Sequence, residues 1–357
     1  MLKNNMLVFC GDGAGRGHFA TLPLPEIQDN QVLVKIQYCG ICGTDQDLFS
    51  GECSFAKNGE ITYPVRLGHE WSGIVVAVGA KVTKFKPGDR VVGDNAICCG
   101  KCEACQRGDY SQCRNTKNVG TIDPVYDGAF AEYFVLPEYH TYKIPDSLSL
   151  KEAALCEPLS VAYGATRNMD ITRKSNVAVI GTGCIGLSAV ILAKCAGAGQ
   201  IFLIGRNAGK LQAAEHLGAV PVNIKTCDPV EFIREKTDNR GVDFVIECSG
   251  AEGTITQAME IAMRKGKIAL IGFYEKEEKN INIDKIVSKE LNIVGIMGEY
   301  GNIGAVLDIL GKHRPNMLPL ITDELPFAEC ERAFLRKNFP NAIKIMISIG
   351  GEDEWVK

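Results

Sequence analysis

Four cysteines in one short stretch, Cys99-x2-Cys102-x2-Cys105-x7-Cys113, place four thiolates at spacings that a single loop can wrap around one tetrahedral ion. Zinc takes four sulfurs in this way, and a closed four-cysteine set has no open coordination position, so it serves structure rather than reaction. Zinc binding in such small lobes becomes folding free energy, on the order of 10–16 kcal/mol. The lobe at 98–114 is therefore expected to depend on its ion. Cys98 is left over, and its side chain is expected to point away. A second set is scattered along the chain: Cys42-Gly-Thr44-Asp45, then Gly68-His69-Glu70, then Cys156-Glu157-Pro158. Cys42 and His69 offer sulfur and nitrogen, and Glu70 or Glu157 offers oxygen. One position stays open for water or substrate, the mark of a catalytic zinc site. Each of these residues is ordinary alone; beside the four-cysteine lobe they lead to the expectation of two zinc ions per chain.

A third constellation concerns phosphate. Asn176-Val-Ala-Val-Ile is followed by Gly181-Thr-Gly183-Cys184-Ile185-Gly186, an apolar strand running into G-x-G-x-x-G and then a helical pattern. Gly181 permits the tight turn, Gly183 lets the backbone approach a pyrophosphate, and Gly186 lets helix and strand pack closely. The N–H groups at the helix start, around Cys184 and Ile185, supply positive potential for an anion. An NAD site wants a carboxylate about 20 residues further on, for the ribose 2′-hydroxyl. Here Gly205 stands in that place, followed by Arg206 and, a turn later, Lys210. A glycine leaves room for a 2′-phosphate and a guanidinium forks onto it, so NADP(H) is the expected cofactor. The alternative is NAD(H), with Arg206 stacked on its adenine.

These groups need two kinds of scaffold. At 357 residues, with 46% hydrophobic and 23% charged residues, the chain is globular and long enough for two domains. Up to about residue 155, β-rich runs such as Gln31–Ile36, Gly73–Val78 and Arg90–Val92 alternate with Gly/Pro punctuation, which predicts a β-dominated, partly barrel-like domain. From 157 to 296, strands alternate with helical segments, the pattern of a doubly wound parallel sheet. Strands are expected at Asn176–Ile180, Ile201–Ile204, Asp243–Glu247, Lys267–Ile271 and Ile293–Ile296, with helices at Ile185–Ala196 and Ala208–Leu217. The tail from Pro319 to Ile349 is expected to rejoin the first domain. That gives an α/β protein with a catalytic domain at 1–156 and 297–357 and a dinucleotide-binding domain at 157–296.

A net charge of -4 gives no footprint for nucleic acid. No apolar run reaches the roughly 18 residues of a membrane span. Met1–Asp12 lacks the apolar core of a signal peptide, and fifteen cysteines is an odd number for a disulfide framework. A cytoplasmic protein with reduced thiols is expected, acting on a small molecule without nucleic acid or membrane.

Taken together, Cys39-Gly-Ile-Cys42-Gly-Thr-Asp45, Gly68-His-Glu70-Trp-Ser-Gly-Ile-Val, Lys86-Pro-Gly-Asp-Arg-Val, the Cys99–Cys113 lobe, Asp127-Gly-Ala-Phe-Ala-Glu-Tyr, Glu157-Pro-Leu and the Gly181 loop resemble the zinc-containing medium-chain dehydrogenase/reductases over essentially the full length. Within that family the chain looks most like the polyol branch of sorbitol, galactitol-phosphate and related dehydrogenases. The resemblance implies a GroES-like catalytic domain beside a Rossmann domain, and hydride transfer between a sugar alcohol or its ketose and the nicotinamide cofactor. It implies Cys42 and His69 as zinc ligands, Glu70 as third ligand or close neighbour, and Glu157 as a carboxylate that enters or leaves coordination. Asp45 would orient His69 and Thr44 would begin a proton relay. It also implies a homo-oligomer, a tetramer or a dimer. Many relatives carry histidine where this chain has Asp47, so proton exit would pass a carboxylate. Phe49, Glu299 and Tyr300 are pocket candidates, while His18, His140, His216 and His313 read as ordinary surface or core residues.

Two other readings share these residues. Threonine or another secondary alcohol is one, although Ala96 and Glu157-Pro-Leu depart from the threonine dehydrogenase pattern. A non-catalytic zinc and dinucleotide-binding protein is the other; it would require a broken ligand set, and Cys42, His69, Glu70 and Glu157 are all present.

Overall fold

The computed structural model describes residues 4–274, 281–297 and 301–350. The chain divides into two compact units, one of Met1–Glu157, Glu299–Arg314 and Ile321–Lys357, the other of Pro158–Gly298 and Pro315–Leu320. The expected boundaries therefore move slightly. Glu157 goes with the first unit, where its carboxylate accepts a hydrogen bond from Asn95. The second unit runs on to Gly298 and takes back Pro315–Leu320, where Met317 and Leu320 are fully buried.

The first unit is built around the strand Gln31–Gly40, almost wholly buried because its side chains are covered on both faces. It pairs antiparallel with Glu70–Val78 on one edge. Its other edge is shared by Tyr133–Pro137 and Lys344–Ser348. The tail thus returns to this sheet, and Ile321–Pro326 adds a parallel strand outside it. An amino-terminal hairpin of Asn5–Gly13 and Arg16–Pro23 was not anticipated, because its second strand is mostly exposed and lacks a clean alternation.

The second unit carries a six-stranded parallel sheet of Asn176–Ile180, Gln200–Gly205, Val220–Asn223, Val242–Glu247, Ala262–Leu270 and Asn292–Gly295. In space the third strand lies beside the second, then come the first, fourth, fifth and sixth. This is the doubly wound Rossmann order, which reverses direction at the first strand. The strand Val220–Asn223 was not foreseen, since four residues with Pro221 in their midst give no periodic signal. Pro221 is tolerated because this is an edge strand. The helices Cys184–Cys195 and Ala208–His216 start within one residue of expectation. Asn207 caps the second of them, its side chain accepting from the Lys210 N–H.

Candidate active site and metal centres

The first site is assembled where strands end. After Gly40 the chain turns into the helix Gly43–Ser50, with Cys42 at its N-cap. Asp45 Oδ2 accepts from the Cys42 N–H at 2.8 Å, satisfying one of the amides that a helix start leaves unpaired. The other oxygen of Asp45 accepts from the Gly68 N–H at 3.3 Å and lies 3.5 Å from His69 Nδ1. One buried carboxylate therefore ties the Cys42 turn to the His69 loop. At 3.5 Å its contact with the imidazole is ionic rather than a good hydrogen bond. Gly68 has φ +100°, and a Cβ there would lie 2.7 Å from the Phe130 ring, so only glycine delivers His69 into this corner.

Glu70 opens the next strand opposite Gly40. A Cβ on Gly40 would stand 2.4 Å from Glu70 Oε2, so the bare backbone makes room for the carboxylate. Among the described residues, the ligand atoms of Cys42, His69 and Glu70 lie within 4.8 Å of one another. That set supplies one sulfur, one nitrogen and one oxygen donor, the mixture zinc accepts at catalytic centres, so the residues fit the ion. Glu157 is outside this tight set. It is buried close by, and Asn95 Nδ2 donates to its Oε1. Burial raises the Glu157 pKa to about 7, although His69 pulls it down. For His69, burial disfavours the charge, but Asp45 and Cys42 outweigh it and hold the pKa well above the ordinary value.

Three partners were missed by sequence reading. Lys344, 4% exposed, donates to Glu70 Oε1 at 2.6 Å and to the Ile41 carbonyl at 2.9 Å. Its signal was a single lysine inside the apolar run Ile343-Lys344-Ile345-Met346-Ile347. Arg336 Nη2 donates to Asp47 Oδ1 at 2.7 Å and to the Gly43 carbonyl at 3.2 Å. Asp47 is therefore half-exposed and charge-paired, on the helix that carries Thr44. Asn95, which grips Glu157, had no distinguishing signal. Phe49 is corrected: it is 1% exposed and stacks on Phe334 with ring centroids 4.9 Å apart, so it belongs to the core. Glu299 and Tyr300 lie outside the described residues.

In the cysteine lobe, the Sγ atoms of Cys99, Cys102, Cys105 and Cys113 lie within 4.8 Å of one another. The separations Cys102–Cys105 and Cys99–Cys105 are 3.4 and 3.9 Å. Thiolates about 2.3 Å from a tetrahedral zinc stand about 3.8 Å apart, so this set also fits the ion. Burial works against charge on Cys113, but the backbone N–H groups of Cys99 and Asn115 help bring its pKa down to about 6. Cys98 stands outside the four-thiol set: its Sγ lies 3.5 Å from the Tyr110 carbonyl, buried beside the lobe, and burial pushes its pKa up to about 11.

In the second unit, Gly181 has φ +115°, and a Cβ on Gly186 would meet the Gly181 carbonyl oxygen at 1.9 Å. Among the described residues no atom comes within 4 Å of a Cβ built on Gly183. Cys184 and Ile185 form the first helical turn behind it. Gly205 ends its strand beside Thr182, whose Cγ2 would be 2.3 Å from a Cβ there. Arg206 is exposed. Lys210 is half-buried, which lowers its pKa against the nearby Cys184. The set Gly181, Gly183, Cys184, Ile185, Gly186, Gly205, Arg206 and Lys210 thus sits at the carboxyl ends of the first two strands, where doubly wound sheets bind ligands.

Fold and sites together define a zinc-type dehydrogenase, an oxidoreductase. Comparison with known proteins agrees. Residues 28–146 match the alcohol dehydrogenase GroES-like domain and residues 184–311 the zinc-binding dehydrogenase domain. Sorbitol dehydrogenase of Bacillus subtilis (strain 168) is 35% identical over 330 residues, covering 92% of each chain. D-arabitol-phosphate dehydrogenase of Enterococcus avium is 34% identical over 340 residues, covering 94% of each. The crystal structure of a zinc-binding dehydrogenase from Sinorhizobium meliloti 1021 bound to NADP superposes with a TM-score of 0.89 at 32% identity, covering 97% of this chain and 100% of that one. The chain belongs to the zinc-containing medium-chain dehydrogenase/reductase family. No helix among the described residues is long and apolar enough to cross a membrane.

Proposed function

We propose that this protein is a polyol dehydrogenase, moving a hydride between a sugar alcohol, free or phosphorylated, and NADP(H), in either direction. The observation that carries the reading is the approach of Cys42, His69 and Glu70 to within 4.8 Å of one another. Those three would hold the catalytic ion, with Glu157 as the carboxylate that exchanges. Cys99, Cys102, Cys105 and Cys113 would hold a structural zinc, making two per chain. When bound, zinc supplies Lewis acidity to a substrate hydroxyl and the nicotinamide supplies the hydride acceptor. The substrate class follows the relatives that act on sorbitol and D-arabitol phosphate.

The chain's own residues have separate tasks in this reading. Asp45 fixes the mutual position of the Cys42 turn and His69. Thr44 Oγ1 accepts the proton of the substrate hydroxyl as it passes its own hydroxyl proton on. Asp47, three residues further along the same helix, leads that proton toward solvent beside Arg336. Lys344 balances the charge of Glu70. For the cofactor, Thr182 fills the space where a side chain at 205 would begin, which disfavours a ribose-binding carboxylate. Arg206 and Lys210 then meet the 2′-phosphate.

The same reading makes the protein a cytoplasmic homo-oligomer, a dimer or tetramer. Support comes from the edge strand Asn292–Gly295, whose Val294 is exposed, and the adjacent helix Ile283–Lys289 with exposed Ile283 and Val287. An unpaired strand edge flanked by apolar side chains invites a second chain.

A panel of polyols, ketoses and their phosphates, assayed for kcat/KM with both cofactors, tests the substrate and cofactor assignments. A strong NAD preference would reject NADP(H), and turnover confined to threonine would reject the polyol. Cys42→Ala with metal analysis tests the centre: about one zinc per chain and nearly all turnover should disappear.

A further inference from the structure

The segment Asp94–Cys99 joins two places that have so far been described separately. At one end the Asn95 carboxamide donates to Glu157. At the other, Cys99 is the first thiol of the four-cysteine lobe. Between them, Ala96–Ile97 pairs with the strand Lys117–Val119, and the Val119 N–H donates to the Asn95 carbonyl at 2.9 Å.

A buried histidine clamps this segment from both sides. The Cys98 N–H donates to His140 Nε2 at 2.9 Å, which assigns the ring hydrogen to Nδ1. That Nδ1–H donates to Asp94 Oδ2 at 2.7 Å, and the Tyr142 hydroxyl donates to the same oxygen at 3.1 Å. The Asp94 N–H in turn donates to the His140 carbonyl at 3.1 Å. Asp94 is 1% exposed and His140 3%, and among the described residues Asp94 Oδ1 has no hydrogen-bond partner. Burying a carboxylate is costly. Its bonds all serve to fix the backbone that flanks Asn95.

We propose that Asp94 and His140 are positioning residues for Glu157: they lock the Asp94–Cys98 segment so that Asn95 holds the Glu157 carboxylate, and so link the cysteine lobe to the catalytic centre. The inference rests on the proposed role of Glu157 as the exchanging carboxylate.

The test uses the full-length enzyme carrying cobalt at the catalytic site, with its visible spectrum and kcat as readouts. Asn95→Ala and His140→Ala should shift the cobalt bands in the same direction and lower kcat about tenfold each, the scale typical of groups that orient a metal's neighbours. The double variant should be no worse than Asn95→Ala alone, because both act through one contact. Asp94→Asn, which keeps the side-chain shape, should show a smaller shift of the same sign and carries the comparison if His140→Ala does not fold. Unperturbed cobalt bands in His140→Ala or Asp94→Asn, or losses that multiply in the double variant, would overturn the brace. Glu157→Gln distinguishes the two readings: wild-type spectrum and kcat there would remove the role of Glu157 itself, and the brace with it.

Discussion

Lys344 Nζ lies 2.6 Å from Glu70 Oε1, and both side chains are almost fully buried. The lysine comes from the strand Lys344–Ser348 near the carboxyl end of the chain, and the glutamate from the strand Glu70–Val78 beside the candidate zinc ligands. The candidate metal centre therefore contains a cation of the protein's own, one that would compete with a metal for the same carboxylate.

Removing that cation leaves Glu70 buried without compensation. Lys344→Met should destabilise the metal-free protein by about 3–5 kcal/mol, the usual cost of breaking a buried pair from one side. Zinc should restore much of the loss, since Glu70 is then free to face the ion. Urea unfolding with and without zinc measures both, and an equal loss in the two conditions would argue against Glu70 as a ligand.

Metal binding should depend steeply on pH. His69 holds its proton well above the ordinary histidine range, and burial lifts Glu157 to about 7. Ligands must lose their protons to bind, so zinc affinity at this centre should fall as pH drops below about 7 and rise above it. In the metal-free fold the sign is opposite. Raised values favour the folded state while the groups are protonated, and the Glu157 share of that stability is lost as pH rises from about 4.5 to about 7. Chelator competition across pH 5.5–8.5, flanked by thermal melts of the metal-free protein, checks the two trends.

Cofactor choice should turn on position 205. Gly205→Asp alone introduces a Cβ 2.3 Å from Thr182 Cγ2 and should weaken both cofactors. Paired with Thr182→Gly it should recover NAD use and lower kcat/KM for NADP at least tenfold, because the new carboxylate repels a 2′-phosphate. Unchanged NADP use in the double variant would place the phosphate elsewhere.

The lobe should fail as a unit. Cys102→Ser should lower the zinc content by about one per chain and open the 99–113 stretch to proteolysis, since short helical turns such as Glu103–Gln106 have little apolar support of their own. Mass spectrometry of limited digests would locate the cuts; resistance equal to that of the parent protein would mean that the lobe stands without its ion.

The cysteine lobe and the glycine loop, as candidate binding elements, were legible in the sequence because their spacing is local. Four cysteines within fifteen residues, a strand running into Gly181-x-Gly183-x-x-Gly186, and the parallel-sheet periodicity are each set by neighbours along the chain. The glycines repeat the point: Gly186 is dictated by the Gly181 carbonyl five residues away. What sequence could not reveal are partnerships between distant segments, because no local pattern encodes them. Lys344 reaches Glu70 only because the last strand returns to pair with Gln31–Gly40. Asn95 meets Glu157, and His140 meets Asp94 and Cys98, across 62, 46 and 42 residues. A buried charge or amide must find its partner wherever the fold supplies one, and that choice belongs to the tertiary structure alone.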